Sequence, residues 1–400
     1  MIKKLLIVQK GGDFREAYRN LGEGKPEYYA NQQYSVGSVI QLKNSLGEVA
    51  SLCCHSLGAY SELLEPGLRA IGIGVTKSDS YKVAMKKTIQ AIQEYRPDYV
   101  ILRTPALEIL RWLRRKKIPA SMILADSFNG TSLRNKWWYF QLGRECSHSN
   151  VRWIGNHGVG SSLSLRKIGV KESKIIPWDW PVFIDPSLFP TKTLKISDKQ
   201  PSLLYVGVIS ADKGVTDCIE AVAHLRDSGF PVTLDIYGQG DIDGCRRVAN
   251  QFSVEDSVNF CGLVPNSEIV GRMANSDLVL IPSRRTYPEG FPKTINEALC
   301  SHSPLVVSDH PIFARILKNR VNAMVFKAGS PASLASRVKE ILGDEELYRS
   351  LSDNAHSTWT RLQIPVKWGE LLKNIALNSS QASDWLTAHR LNSGLYDLSS

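Results

Sequence analysis

Leu278-Val-Leu-Ile-Pro-Ser-Arg-Arg-Thr-Tyr-Pro-Glu-Gly-Phe-Pro-Lys-Thr-Ile-Asn-Glu297 begins apolar, breaks at a proline and ends on a helical pattern. The run Leu278–Ile281 has no polar face and stops at Pro282, which predicts a buried parallel strand. Glu289, followed by Gly290, Phe291 and Pro292, reads as a loop residue. Glu297 lies eight positions later, ahead of Ala298, Leu299 and Cys300, and reads as helical. Pro292 suits a first helical turn, where its missing N–H costs nothing. The amides around Lys293 to Ile295 would then leave a helix N-terminus free for an anion. Open α/β sheets bind ligands at the carboxyl ends of their strands, where this loop would lie. A loop carboxylate, free amides and a second carboxylate about two turns on would hold a phosphorylated, hydroxyl-rich ligand at three places. An ordinary strand–loop–helix with two solvated glutamates would carry the same pattern.

Working outward, the chain repeats this alternation. Strands are predicted at Leu203–Val206, Thr233–Tyr237, Val258–Phe260, Leu305–Val307 and Ala323–Phe326, with helices such as Asp217–Asp227 and Ala332–Leu342 between them. The first half reads alike, with strands at Leu5–Val8, Val49–Cys53, Ile71–Val75, Tyr99–Leu102, Ser121–Leu124 and Val151–Ile154. The fold class is therefore α/β, with doubly wound parallel sheets. The expected domains are 1–190, a linker at 191–200, 201–360, and a helix with a mobile tail over 361–400 that packs back on the first domain. Gly11-Gly12 falls at the end of the first strand, where backbone turns sharply or approaches a ligand.

Composition excludes several classes. Of the 400 residues, 43% are hydrophobic and 22% charged, as in ordinary soluble proteins. No apolar run approaches the roughly 20 residues needed to span a bilayer, and Leu5–Val8 is shorter than the core of a signal peptide. Seven cysteines without metal-like spacing suit a reducing cytoplasm. The formal charge of +10 is uneven: residues 1–190 hold 27 Lys and Arg against 16 Asp and Glu, and residues 191–400 hold 22 against 23. The basic half should meet an anionic partner. Arg111-Trp-Leu-Arg-Arg-Lys-Lys117 and Lys136-Trp-Trp-Tyr-Phe140 mix cations with amphipathic rings, which suits an anionic membrane surface. A helix that buries one face and solvates the other explains the second cluster equally well. No recognition motif accompanies the charge, so nucleic acid is not expected.

Tyr205-Val-Gly-Val-Ile-Ser-Ala-Asp-Lys-Gly214, Ile236-Tyr-Gly-Gln-Gly-Asp241, Val258-Asn-Phe-Cys-Gly-Leu-Val264 and Glu289-Gly-Phe-Pro…Glu297 occur in that order. Together they resemble the donor half of retaining glycosyltransferases of family 4, whose GT-B fold sets two Rossmann-like domains facing across a cleft. The resemblance covers about 180 residues strongly. It extends weakly into the first half through Gly11-Gly12 and Gly155-Asn-His-Gly-Val-Gly.

The resemblance implies a nucleotide-sugar donor, UDP- or GDP-linked, no cofactor and no metal. It implies a glycan or lipid-linked acceptor, in surface polysaccharide or glycolipid assembly, at the inner face of the cytoplasmic membrane. Lys213 would meet the diphosphate, Glu289 the sugar hydroxyls and Glu297 the ribose. Gly290, Phe291, Pro292, Lys293 and Thr294 would present amides. Gly262 and Leu263 would line the base pocket with Glu268 nearby, and Gly207, Gly214, Tyr237 and Gly238 would let backbone approach the donor. Asp126 and His157 are candidates to face the donor sugar, although a cap and a surface turn would use the same residues. The family's usual arginine after the glycine matching Gly207 is Val208 here, so Arg284, Arg285 or Lys293 is expected to take its place. That departure keeps a second reading open, a catalytically weak protein that binds nucleotide or an anionic glycan. A soluble small-acceptor transferase is a third. Asp241-Ile-Asp243 formally matches a metal-binding signature and is read as a helix cap.

Overall fold

The computed structural model describes residues 2–25, 31–76, 78–181, 184–194, 200–287, 289, 292–314 and 316–396. The chain divides into two units. The first runs to Pro181 and resumes at Ile364; the second lies between them, ending at Gln363.

In the first unit the described residues form one eight-stranded sheet: Lys4–Gln9 (β1), Glu48–Cys53 (β2), Ala59–Glu65 (β3), Leu68–Ile73 (β4), Tyr99–Leu102 (β5), Ala120–Leu124 (β6), Val151–His157 (β7) and Ile175–Trp178 (β8). Its order is β3-β4-β2-β1-β5-β6-β7-β8. The strands are parallel except β3, which runs antiparallel to β4 on the edge. Two of these strands carry no clear sequence signal. Strand β3 alternates exposed and half-buried residues and includes Glu62 and Glu65, so it lacks the apolar run of an inner strand. Strand β8 contains Pro177, which an edge position tolerates because one side of the strand makes no ladder.

The second unit contains Ser202–Val206 (β9), Thr233–Tyr237 (β10), Val258–Gly262 (β11), Leu278–Ile281 (β12), Leu305–Ser308 (β13) and Met324–Phe326 (β14). The order is β11-β10-β9-β12-β13-β14 with every pairing parallel. All four residues of β12 are buried, as a strand covered by helices on both faces must be. Helix Val215–Asp227 buries Val215, Cys218, Ile219 and Val222, spaced to form one stripe.

The unit boundary falls at residue 181, not 190, because the segment after it is anchored in the second unit. Lys192 donates its backbone N–H to Ser352 Oγ at 2.7 Å, and its Nζ donates to Met273 O at 2.8 Å and Ser303 Oγ at 2.7 Å. Residues 195–199 of the expected linker lie outside the described residues. The expected mobile tail is instead ordered over most of its length. Helices Trp368–Leu377 and Ser380–Ala388 follow one another. Trp368, Leu371, Leu372, Ile375, Leu386 and Tyr396 join a core cluster with Leu5, Ile7, Tyr99 and Trp178 of the first sheet. The serines that suggested a loose tail include Ser379, which caps the last helix through Ala382 N.

Candidate functional site

Strand order reverses between β9 and β12, so the loops leaving their carboxyl ends diverge and open a crevice. Residues 207–214 follow β9 and residues 282–289 follow β12. Gly214 sits at a φ of +75°, and a Cβ there would lie 2.2 Å from Pro282 O. Only glycine lets the two loops close to this distance. Arg284 N donates to Asp212 O at 3.0 Å and ties them together. Tyr205 OH donates to Val208 O at 2.7 Å, and Val208 itself is 56% exposed.

This closure brings Lys213 to Glu289. Lys213 Nζ lies 2.9 Å from Glu289 Oε1 and 2.7 Å from Oε2. Ser283 Oγ donates to the same carboxylate at 3.0 Å. The pair is largely withdrawn from water, with side-chain exposures of 16% and 6%. The Tyr287 ring lies 4.4 Å from Lys213 Nζ, a favourable cation–π contact. Tyr287 O accepts from Glu289 N at 2.8 Å and from His310 Nε2 at 3.1 Å. His310 Nδ1 accepts from Ile312 N at 3.3 Å, so the ring carries its proton on Nε2. Burial holds this imidazole below its ordinary value of 6.5.

Each of the expected substitutes for the missing arginine lies beside a carboxylate. Arg284 makes a two-pronged pair with Asp217, at 3.1 and 2.5 Å, and Asp217 is buried. Arg285 does the same with Asp309, at 3.1 and 2.5 Å. Lys293 Nζ lies 3.1 Å from Glu297 Oε1. Helix Lys293–Cys300 starts one residue after Pro292, which makes no side-chain cap and has no N–H of its own. Ile295 N turns back to Pro292 O at 3.1 Å, so the uncapped amides lie nearer Lys293 and Thr294. Glu297 is buried on this helix. Gly290 and Phe291 lie outside the described residues.

Glycines join the neighbouring strand ends. Gly207 N donates to Tyr237 O at 3.0 Å, and Gly238 N to Gly262 O at 2.8 Å. A Cβ on Gly238 would lie 1.8 Å from Gly207 O, so the turn after β10 admits no side chain. Leu263 is 65% exposed, while Glu268 pairs with Arg272 at 3.0 Å along its helix. Asp241 caps helix Ile242–Gln251 by accepting from Gly244 N at 2.9 Å. Among the described residues no cluster of His, Cys, Asp or Glu is placed to hold a metal ion.

In the first unit the order reverses between β1 and β5. Gly11 and Gly12 follow β1 there, and an added Cβ at either would meet nothing within 4 Å. Asp126 follows β6, its backbone held by Asn156 through bonds of 3.2 and 2.9 Å. Burial raises its carboxyl above the ordinary range, opposed by the Lys10 charge. His157 ends β7 and is committed to Asp179, with Nε2 2.9 Å from Oδ1 and the ring 4.9 Å from Trp178.

Sequence reading passed over Ser283, Tyr287 and His310. The first two lie inside the decisive stretch. His310 follows β13, and counting strands outward from β9 would have pointed to that end.

Residues 191–358 match the family described as "Glycosyl transferases group 1". An N,N'-diacetylbacillosaminyl-diphospho-undecaprenol alpha-1,3-N-acetylgalactosaminyltransferase of Campylobacter jejuni is 28% identical over 214 residues, 52% of this chain and 53% of that protein. The chain thus spans about half the length of this relative. The crystal structure of Anabaena HepE in complex with UDP superposes with a TM-score of 0.61 at 15% identity, over 96% of this chain and 100% of that one. The structure of WaaG, a glycosyltransferase involved in lipopolysaccharide biosynthesis, gives 0.64 at 15% identity, over 94% and 100%. Two Rossmann-like units and these likenesses identify the fold as GT-B. Among the described residues no helix is long and apolar enough to cross a membrane.

Proposed function

We propose that the chain is a retaining glycosyltransferase that moves a hexosyl group from a UDP- or GDP-linked sugar to an acceptor hydroxyl. The observation that carries this reading is the Lys213–Glu289 pair beneath Ser283, assembled from both loops of the second unit's switch point. The family match over residues 191–358 supports it.

Lys213 meets the donor diphosphate, exchanging Glu289 for phosphate oxygens. Glu289, released, accepts from donor-sugar hydroxyls, and Glu297 accepts from the ribose. As the bond to the anomeric carbon breaks, charge grows on the departing phosphate, and the ammonium and the helix amides stabilise it. The departing phosphate takes the acceptor's proton on the same sugar face, which gives retention without a carboxylate nucleophile. Asp126 and His157 belong to the acceptor-binding unit. The acceptor is a growing surface glycan or glycolipid on a lipid carrier, presented at the inner face of the cytoplasmic membrane. The name of the Campylobacter relative, with its diphospho-undecaprenol acceptor, supports that class.

A thermal-shift panel of UDP, GDP, ADP and their sugar conjugates tests the donor side, on wild type and Glu297→Ala. A ligand that binds only the folded state raises Tm. A shift with one base, reduced in the variant, supports the reading. No shift at millimolar nucleotide would overturn it in favour of an anionic-glycan binder, since Val208 supplies no cation and Arg284 and Arg285 are held by aspartates.

A further inference from the structure

Helix Leu133–Ser147 has two apolar faces, and one of them points outward. Its inner face buries Leu142, Gly143 and Cys146. Trp138 stacks on Phe128 at 6.4 Å, and the Tyr139 ring meets Phe128 edge-on at 5.7 Å. Tyr139 OH also accepts from Gly130 N at 3.0 Å. These contacts satisfy the helix's need for a core. They leave Leu133 85%, Trp137 64% and Phe140 52% exposed. The three stand at i, i+4 and i+7, so they form one ridge along about 10 Å of helix. The Trp137 and Phe140 rings stack at 5.8 Å, and the Arg144 guanidinium lies 6.0 Å from Phe140. In this ridge Trp137 and Phe140 stack on each other, and all three side chains keep at least half of their surface exposed.

Charge selects the partner. Arg134 and Lys136 are exposed beside the ridge. From residue 109 to 144 the chain holds eight Lys and Arg and a single acid, Asp126. Glu145 is already paired with Arg114, at 2.9 and 3.2 Å. A ring ridge set among excess cations matches a layer whose apolar part lies beneath phosphate. Rings enter the boundary between headgroup and acyl chain, and Lys and Arg stems reach up to the phosphates. Each such cation near an anionic surface adds to the attraction. A protein partner would have to supply a fixed acidic frame around an apolar socket; a bilayer supplies both without fixed geometry.

We infer that the Leu133–Trp137–Phe140 ridge, with Arg134, Lys136 and Arg144, seats the first unit on an anionic phospholipid surface. The purpose of the seat rests on the proposed function, because it would hold the unit where a lipid-linked acceptor is presented. The contact itself does not depend on that function.

Flotation of the full chain tests it, with vesicles of phosphatidylcholine alone and of phosphatidylcholine and phosphatidylglycerol in equal parts. The wild type is expected to float with the anionic vesicles only, and less at high salt. Trp137→Ala combined with Phe140→Ala should lower the partition coefficient about tenfold or more. Arg134→Gln, Lys136→Gln and Arg144→Gln together should lower it by about tenfold or more as well. All these side chains are exposed, so Tm should not move, and an unchanged Tm checks the fold. Wild type that stays at the bottom of the gradient overturns the inference, as do variants that float like wild type. A lipid-free dimer in sedimentation that the ring variant abolishes, without flotation, makes the ridge a contact between copies and also overturns it. The nucleotide thermal shift is read on the same samples. A shift without flotation removes the membrane seat alone, and flotation without a shift removes the transfer reading alone.

Discussion

At the carboxyl edge of the second sheet, Lys213 faces Glu289, Arg284 faces Asp217 and Arg285 faces Asp309. At the same edge of the first sheet Lys10 is exposed, and the space around Gly11 and Gly12 is empty. Burial there raises the Asp126 carboxyl, opposed by the Lys10 charge and a backbone hydrogen bond at Ala125. Both edges are switch points of doubly wound sheets. Topology creates a crevice in each unit, and packing decides whether that crevice is assembled in advance. The second is assembled: loops from β9 and β12 are closed by Gly214, stitched by backbone bonds and filled with paired charge. The first is open. This suits a division in which one unit grips a ligand of constant shape and the other admits a variable one.

The largest expected effect tests the assembled edge directly. Glu289→Ala should lower transfer or donor hydrolysis by on the order of a thousandfold, read as a turnover rate. A rate within tenfold of wild type would remove Glu289 from the donor machinery and break the contrast.

Next come the glycines. Gly238→Ala sets a Cβ against Gly207 O at a φ of +146° and should cost about 3 kcal/mol in urea unfolding. Gly11→Ala, at the open edge, should stay within about 0.5 kcal/mol. Equal costs would mean that the two edges are equally packed.

Lys213→Met leaves the Glu289 carboxylate buried without its cation, for a cost of about 3 kcal/mol. Adding Glu289→Gln should restore most of that stability, because the uncompensated charge is gone. A double-mutant cycle with no coupling would show that the pair contributes nothing beyond its packing.

The smallest effect is in pH. Burial lowers the His310 pKa, so the unfolded chain binds a proton more readily than the folded one. Its contribution is fully present above the ordinary 6.5 and is lost as pH falls from there through the depressed value. A shallow acid-side loss of Tm, flattened in His310→Gln, is expected. An unchanged profile in the variant would free Tyr287 from that clamp.

Some of this was legible without a structure. The inner strands β12 and β13 of the second unit show as short apolar runs because every residue in them is buried. Strand β3 stayed hidden because it is half-exposed and carries glutamates, and β8 because Pro177 interrupts a short run that is otherwise apolar and buried. The serine-rich end read as mobile, yet Leu386, Leu391 and Tyr396 are buried within it. Composition over a few residues says little about burial against a distant sheet.

The same division runs through the candidate site. The order and spacing of strand, proline, loop carboxylate and helix fixed the α/β class and pointed to Glu289 and Glu297, because periodicity and turn chemistry are local properties. The partners could not be read that way. Lys213 and Glu289 are 76 positions apart, and Arg284 reaches Asp217 across 67. Sequence left Arg284, Arg285 and Lys293 as free cations for a phosphate. The fold set each one beside a carboxylate: Arg284 meets the buried Asp217, while Arg285 and Lys293 pair at the exposed surface. That pairing is a property of strand order and loop closure, and only the tertiary structure decided it.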